Sequence, residues 1–211
     1  MFTLGVAAVL SLPACNGIFE GIYDKPDMSG DVEFGFIAVD DKTNTGRIYI
    51  DATDYGEWHY IDLHGKQTVT TAVGDAAPGS WDFAVHRYDA KTNGAIVCES
   101  DAGDFGSLPG LGSFAAEDFV ADEWTTDRIT VDMSQMMDGI IVYAEDYYNP
   151  CLSRWLDVDT STMPPVYTLS GRVYLLRLAD GTYAALRLTN FMDDAAVKGV
   201  MTIDYLYPVE L

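Results

Sequence analysis

From residue 33 onward, apolar and polar side chains alternate with a period of two, in short runs that stop at Gly, Pro, Asp or Asn. The runs EFGFIAV (33–39), GRIYIDA (46–52), EWHYIDL (57–63), QTVTTAV (67–73), WDFAVHR (81–87) and GAIVCES (94–100) each place successive side chains on opposite faces of an extended backbone. Each therefore predicts a strand. RVYLLRL (172–178) and TYAALRL (182–188) flank Ala179-Asp180-Gly181; Asp-Gly tolerates the positive φ values of a tight turn, so the pair predicts a hairpin. VMTIDYLYP (200–208) predicts a last strand. Helix is confined to two short pieces, Phe114 to Asp122 and Asp193 to Lys198. The expectation is an all-β fold, a single domain of mostly antiparallel strands over residues 31–211.

Two segments break the alternation. Asp101 to Ala121 is rich in Gly and Ala and reads as a surface excursion. Asp132 to Pro165 holds four of the six methionines that remain once Met1 and Met28 are set aside.

Composition narrows the function classes. The 211 residues carry 33 acidic and 12 basic side chains, a formal charge of −21. Binding nucleic acid or an anionic lipid surface requires a surplus of Lys and Arg, so neither is expected as a partner. A hydrophobic fraction of 48% excludes a disordered acidic chain.

Residues 1–14, MFTLGVAAVLSLPA, form an apolar stretch too short to cross a bilayer as a helix, and Cys15 follows directly. The pattern resembles a lipoprotein signal. It implies cleavage before Cys15, lipidation of that cysteine, and a Gly/Pro/Asp/Ser-rich tether over 15–30 that lifts the domain off the outer membrane. Contact with the membrane would be through the lipid anchor alone, at the cell surface or the periplasmic face, or after release from it. Cys98 and Cys151 are then an even pair in a compartment that permits disulfides, open to a bridge or to two buried thiols.

Candidate chemistry is sparse. Carboxylates are too numerous for spacing to single out a catalytic dyad. No G-x-S-x-G occurs, and two cysteines with three scattered histidines fall short of zinc spacing. His59 and His64, five apart in one predicted strand, point to opposite faces. His86 shares a face with Asp82 and Ala84. Each histidine reads as structural. The methionines stand out: Met133, Met136 and Met137 follow i, i+3, i+4 spacing, so one helical turn would gather them on one side. Met163 lies beyond them in an extended TMPP segment. Tyr143, Tyr147, Tyr148 and Trp155 fall between the two methionine sites. Thioethers bind soft or borderline iron, above all Fe(II) in a porphyrin, so a planar apolar iron ligand suits this set.

Trp58-His59-Tyr60, WDFAVHRYDAKTNG (81–94), VDMSQMM (131–137), STMPPVYTLSGRVYLLRLADGTYAALRLTN (161–190) and KGVMTIDYLYP (198–208) together resemble the HmuY-type haem-binding lipoproteins of Gram-negative anaerobes. The resemblance covers roughly residues 30 to 208. It implies a hand-shaped all-β fold with few short helices, haem gripped between extended loops by two axial side chains, and a non-enzymatic, haemophore-like role in iron acquisition. Haem would be handed to an outer-membrane receptor. The best-known branch uses two histidines, from regions matching 131–140 and 155–165. No histidine follows His86 here, so the resemblance points to the branch with two methionines. By position these are Met136 and Met163, with Met133 or Met137 as substitutes for the first. Tyr143, Tyr147, Tyr148 and Trp155 would wall the haem pocket. The competing readings are a glycan-binding or adhesive lipoprotein, with the same aromatics as sugar platforms, and a secreted hydrolase with an acidic dyad.

Overall fold

The computed structural model describes residues 33–210; the leader, the tether and Cys15 lie outside the described residues. In chain order the strands are β1 (Gly35–Asp40), β2 (Thr45–Asp51), β3 (Glu57–Asp62), β4 (Gln67–Ala72), β5 (Phe83–His86), β6 (Asp89–Thr92) and β7 (Ile96–Glu99). There follow β8 (Glu123–Asp132), β9 (Val142–Tyr148), β10 (Leu156–Asp159), β11 (Val166–Leu169), β12 (Tyr174–Arg177), β13 (Tyr183–Met192) and β14 (Lys198–Leu206). The fold is all-β and antiparallel throughout.

A six-stranded sheet runs β1-β2-β14-β13-β12-β7, and a four-stranded sheet runs β4-β3-β5-β6. Period-two alternation explains their packing. Ile48, Ile50, Leu186, Leu188 and Ile203 of the large sheet meet Ile61, Phe83 and Val85 of the small one in the main core. The opposite faces are covered as well. Val173, Leu175 and Ala185 pack beneath Leu108, Phe105 and Phe114 of the segment after β7, so the surface excursion also covers a second apolar layer, with Ala102 and Leu108 its buried residues. Trp58, Tyr60 and Ala84 pack under Ile129, Ala144 and Tyr148 of the β8–β9 hairpin.

The Asp180-Gly181 turn is present, with Gly181 at φ +88°, and joins β12 to β13. The two expected helices are absent. Within Phe114–Asp122 only a 3-10 turn forms, at Ala116–Asp118, because Phe114 and Phe119 pack into the second layer and Val120 bridges to Val97. Residues 193–198 make the β13–β14 turn instead, where the Asp193 carboxylate accepts the Val197 N–H at 2.8 Å and Ala196 takes a positive φ. Cys98 and Cys151 are buried free thiols. Burial pushes both thiols up, Cys98 to about 11.

Candidate functional site

Two two-stranded hairpins stand outside the sheets, β8–β9 and β10–β11. Residues 149–155 alone separate them, so the two arms spring from one junction. Asn149 organises that junction. Its backbone N–H donates to Ala90 O at 2.6 Å, and its Nδ2 donates to Val120 O and to Asp122 Oδ1 at 3.1 and 2.9 Å. Its Oδ1 accepts from the backbone N–H groups of Cys151 and Leu152. Asp122 also accepts from Thr92 N and Oγ1; burial nonetheless pushes its carboxyl above the usual carboxylate range.

The β8–β9 arm is rooted by Ile129, wholly buried against Trp58 and Tyr60. Two ion pairs flank it: Lys91 Nζ with Asp146 Oδ2 at 2.8 Å and Arg128 Nε with Asp89 Oδ1 at 2.8 Å. Alternation along β9 then separates its aromatics. Tyr148 turns inward onto the small sheet, with the Arg128 guanidinium 5.3 Å from its ring centre. Tyr143 and Tyr147 are exposed. Trp124, directly opposite Tyr147 in the ladder, packs edge-on against it at 5.1 Å.

The pairing ends at Asp132↔Val142, leaving the methionine-rich segment as the tip. Met136 N–H donates to Met133 O at 3.0 Å and begins a 3-10 turn, Met136–Asp138, closed by Gly139 in the left-handed region at φ +78°. The expected helical turn is thus a 3-10 turn, in which i and i+3 side chains eclipse. Met133 and Met136 follow that spacing; Met137 does not and is 88% exposed, against 40% for Met136.

The second arm pairs Leu156↔Leu169 through Asp159↔Val166, with 160–165 as its tip. Met163 sits there, 77% exposed, before a cis bond to Pro164. Ser161 N–H donates to Asp159 Oδ1 at 2.8 Å at the start of the tip. Each arm therefore ends in a solvent-facing thioether. Trp155 is placed differently from expectation. It is wholly buried in the main core, and its indole N–H donates to Tyr88 O at 2.8 Å. It anchors the arm junction and offers no open face for a ligand. Trp124, Asn149 and Lys91 belong to this region too; Lys91 falls within WDFAVHRYDAKTNG, whereas no sequence motif marks Trp124 or Asn149.

The three histidines play structural parts. His59 Nδ1 lies 3.0 Å from Thr70 Oγ1, and His86 Nε2 lies 2.9 Å from Tyr55 O; burial lowers the pKa of both. His64 lies past the end of β3, in the turn, rather than in the strand with His59. Its two ring nitrogens approach Asp82 Oδ2 at 3.2 Å and Asp180 Oδ2 at 3.0 Å. Asp62, His64 and Asp82 offer donor atoms within 4.8 Å of one another, but both nitrogens of His64 are already engaged. The cluster is an ion-pair clamp between the two sheets.

The sequence profile of the HmuY protein family matches residues 54–205. The chain belongs to the HmuY family. A candidate HmuY-like haem-binding protein from Bacteroides vulgatus is 53% identical, with a TM-score of 0.79 over 85% of this chain and 100% of that one. A candidate lipoprotein from Bacteroides fragilis is 49% identical, with a TM-score of 0.80 over 88% and 100%. The apo HmuY analog of Tannerella forsythia is 28% identical, with a TM-score of 0.64 over 76% and 94%. No curated protein matches the chain. The HmuY family comprises haem-binding proteins and not enzymes.

Proposed function

We propose that this HmuY-family protein is an extracytoplasmic lipoprotein, anchored through Cys15, that captures haem between its two arms and passes it to an outer-membrane receptor. Met136 and Met163 would be the axial ligands, with Met133 or Met137 as substitutes for the first. Tyr143, Tyr147 and Trp124 would pack on the macrocycle. Tyr148 would support the arm from its inner face, and Trp155 from the core.

The observation that carries this reading is where the apolar surface lies. Of the thirteen large apolar side chains most open to solvent among the described residues, nine sit on the two hairpins: Trp124, Met136, Met137, Ile140, Val142, Tyr143, Tyr147, Met163 and Val166. Exposed apolar surface concentrated in this way marks a binding site. The surrounding charge of −21 keeps the chain soluble despite it. Thioethers are neutral, soft donors, so the arms suit an apolar iron macrocycle better than a hard cation.

Haem, when bound, supplies an iron centre that accepts two axial donors. Burying its faces would provide most of the affinity, at about 25 cal/mol per Å2 of apolar area. Thioether ligation favours Fe(II) over Fe(III) and raises the reduction potential. An absorbance titration with haem, in air and in dithionite, tests the reading. Saturable binding at one haem per chain, tighter in dithionite, supports it; no spectral change in either state contradicts it.

A further inference from the structure

Along the β10–β11 arm, from Pro164 and Pro165 of its tip down β11 and across to the end of β13, a recess measures about 580 Å3, within the roughly 300–1,000 Å3 range of small-molecule pockets. Tyr167, Leu169, Leu188, Phe191 and Met192 wall it, with Lys198 at one side. Tyr167 and Phe191 stack, their ring centres 5.4 Å apart and their planes 13° off parallel. Lys198 Nζ lies 4.2 Å from the centre of the Tyr167 ring.

Charge makes this recess unusual in the molecule. The chain has 33 acidic residues, yet no Asp or Glu lines it. Lys198 forms no ion pair among the described residues, a property it shares with Lys42, Arg87, Arg177 and Arg187, whereas Lys66, Lys91, Arg47, Arg128, Arg154 and Arg172 are paired. Arg187 also borders the recess, and its Nε is buried without a hydrogen-bond partner. The carboxylate opposite Arg187 in the ladder, Asp204, is held by Arg47 Nε at 2.7 Å. An ammonium resting on an aromatic face, beside apolar walls and short of a counter-ion, matches a carboxylate carried on an apolar body.

We propose that this recess binds an amphipathic carboxylate, its anion on Lys198 and its apolar body against the Tyr167–Phe191 stack. The carboxylate has two sources: a free alkyl carboxylate, or the carboxylate edge of a haem held by the adjoining arm. The second source rests on the haem reading above; the first does not.

Titration calorimetry with octanoate and with octan-1-ol, on the protein and its Lys198→Met and Lys198→Arg variants, tests the site. A free-carboxylate site predicts octanoate binding that octan-1-ol does not reproduce. Lys198→Met should weaken it about tenfold, the worth of one charge-assisted contact, and Lys198→Arg should retain it. The octanoate-against-octanol comparison on the unaltered protein needs no variant to fold. If octanoate fails to bind but haem affinity falls about tenfold in Lys198→Met, the carboxylate comes from haem. If octanoate binds and haem does not, the site stands and the haem reading falls. Equal binding of octanoate and octanol overturns the proposal. So does an absence of octanoate binding with haem affinity unchanged in Lys198→Met.

Discussion

Trp155 donates its indole N–H to the backbone carbonyl of Tyr88 across 2.8 Å, at the point where one arm ends and the other begins. The ring is wholly enclosed by the main core, so its role is to fix the junction. Trp155→Phe leaves the Tyr88 carbonyl without this donor and opens a small void, which should cost about 1–3 kcal/mol. Urea unfolding monitored by circular dichroism would show the loss.

The arm tips should behave in the opposite way. Met136, Met137 and Met163 are exposed, so replacing each by Ala should move stability by no more than about 0.5 kcal/mol. Ile129, wholly buried at the root of the first arm, should lose about 2–5 kcal/mol as Ile129→Ala. Thermal or urea midpoints for this set separate arm anchoring from arm function.

Lys91 and Asp146 test how the first arm is held. The ammonium is largely buried, 2.8 Å from Asp146 and 4.0 Å from the centre of the Trp58 ring. Asp146→Asn leaves that cation without its counter-charge and should cost about 3 kcal/mol. The double change Lys91→Met with Asp146→Asn should recover much of the loss, because the stranded charge is gone. A double-mutant cycle in urea reads the coupling.

His64 gives a pH dependence with a defined sign. Burial works to lower its pKa, but the hydrogen bonds to Asp180 and Asp82 outweigh it and hold the group above its ordinary value. The protonated form therefore favours the folded state. Its contribution is fully present below about pH 6.5 and fades as pH rises through the elevated folded value. The side chain is nearly half exposed, so the effect should be no more than about 1 kcal/mol. His64→Gln should lose most stability relative to the unaltered protein at acid pH and converge with it at alkaline pH. Buried His59 and His86, with lowered pKa values, contribute with the opposite sign: their share is present above about pH 6.5 and lost as pH falls. The difference between variant and parent isolates His64.

The sheets were largely legible because most of their strands, β2, β3, β13 and β14 above all, bury at least one face. The runs at 46–52 and 200–208 became β2 and β14, paired along their length, and Asp180-Gly181 made its hairpin. The arms were not legible as strands. Along β8 only Thr125 and Ile129 are buried, so no apolar alternation records the pairing. β6 hides for a different reason: its sequence DAKT is polar, and Lys91 is buried only because Trp58, Tyr60 and Asp146 surround its stem and charge. At the candidate site, the clustering of methionines pointed to both tips. Trp124 carries no mark in the sequence because it lies before the methionine-rich segment and joins Tyr147 only through strand pairing. Trp155 reads as a pocket residue from sequence because an indole in SRWLDV carries no sign of whether it faces a ligand or the core.

If Met136 and Met163 hold haem between the two arms, an absorbance titration with haem in dithionite should separate the protein from Met136→Ala, Met163→Ala and the double variant. Each single variant should bind haem more weakly, the double one should lose far more, and the reduced low-spin spectrum should vanish when both thioethers are gone. Unaltered spectra and affinity in all three variants would contradict ligation by this pair.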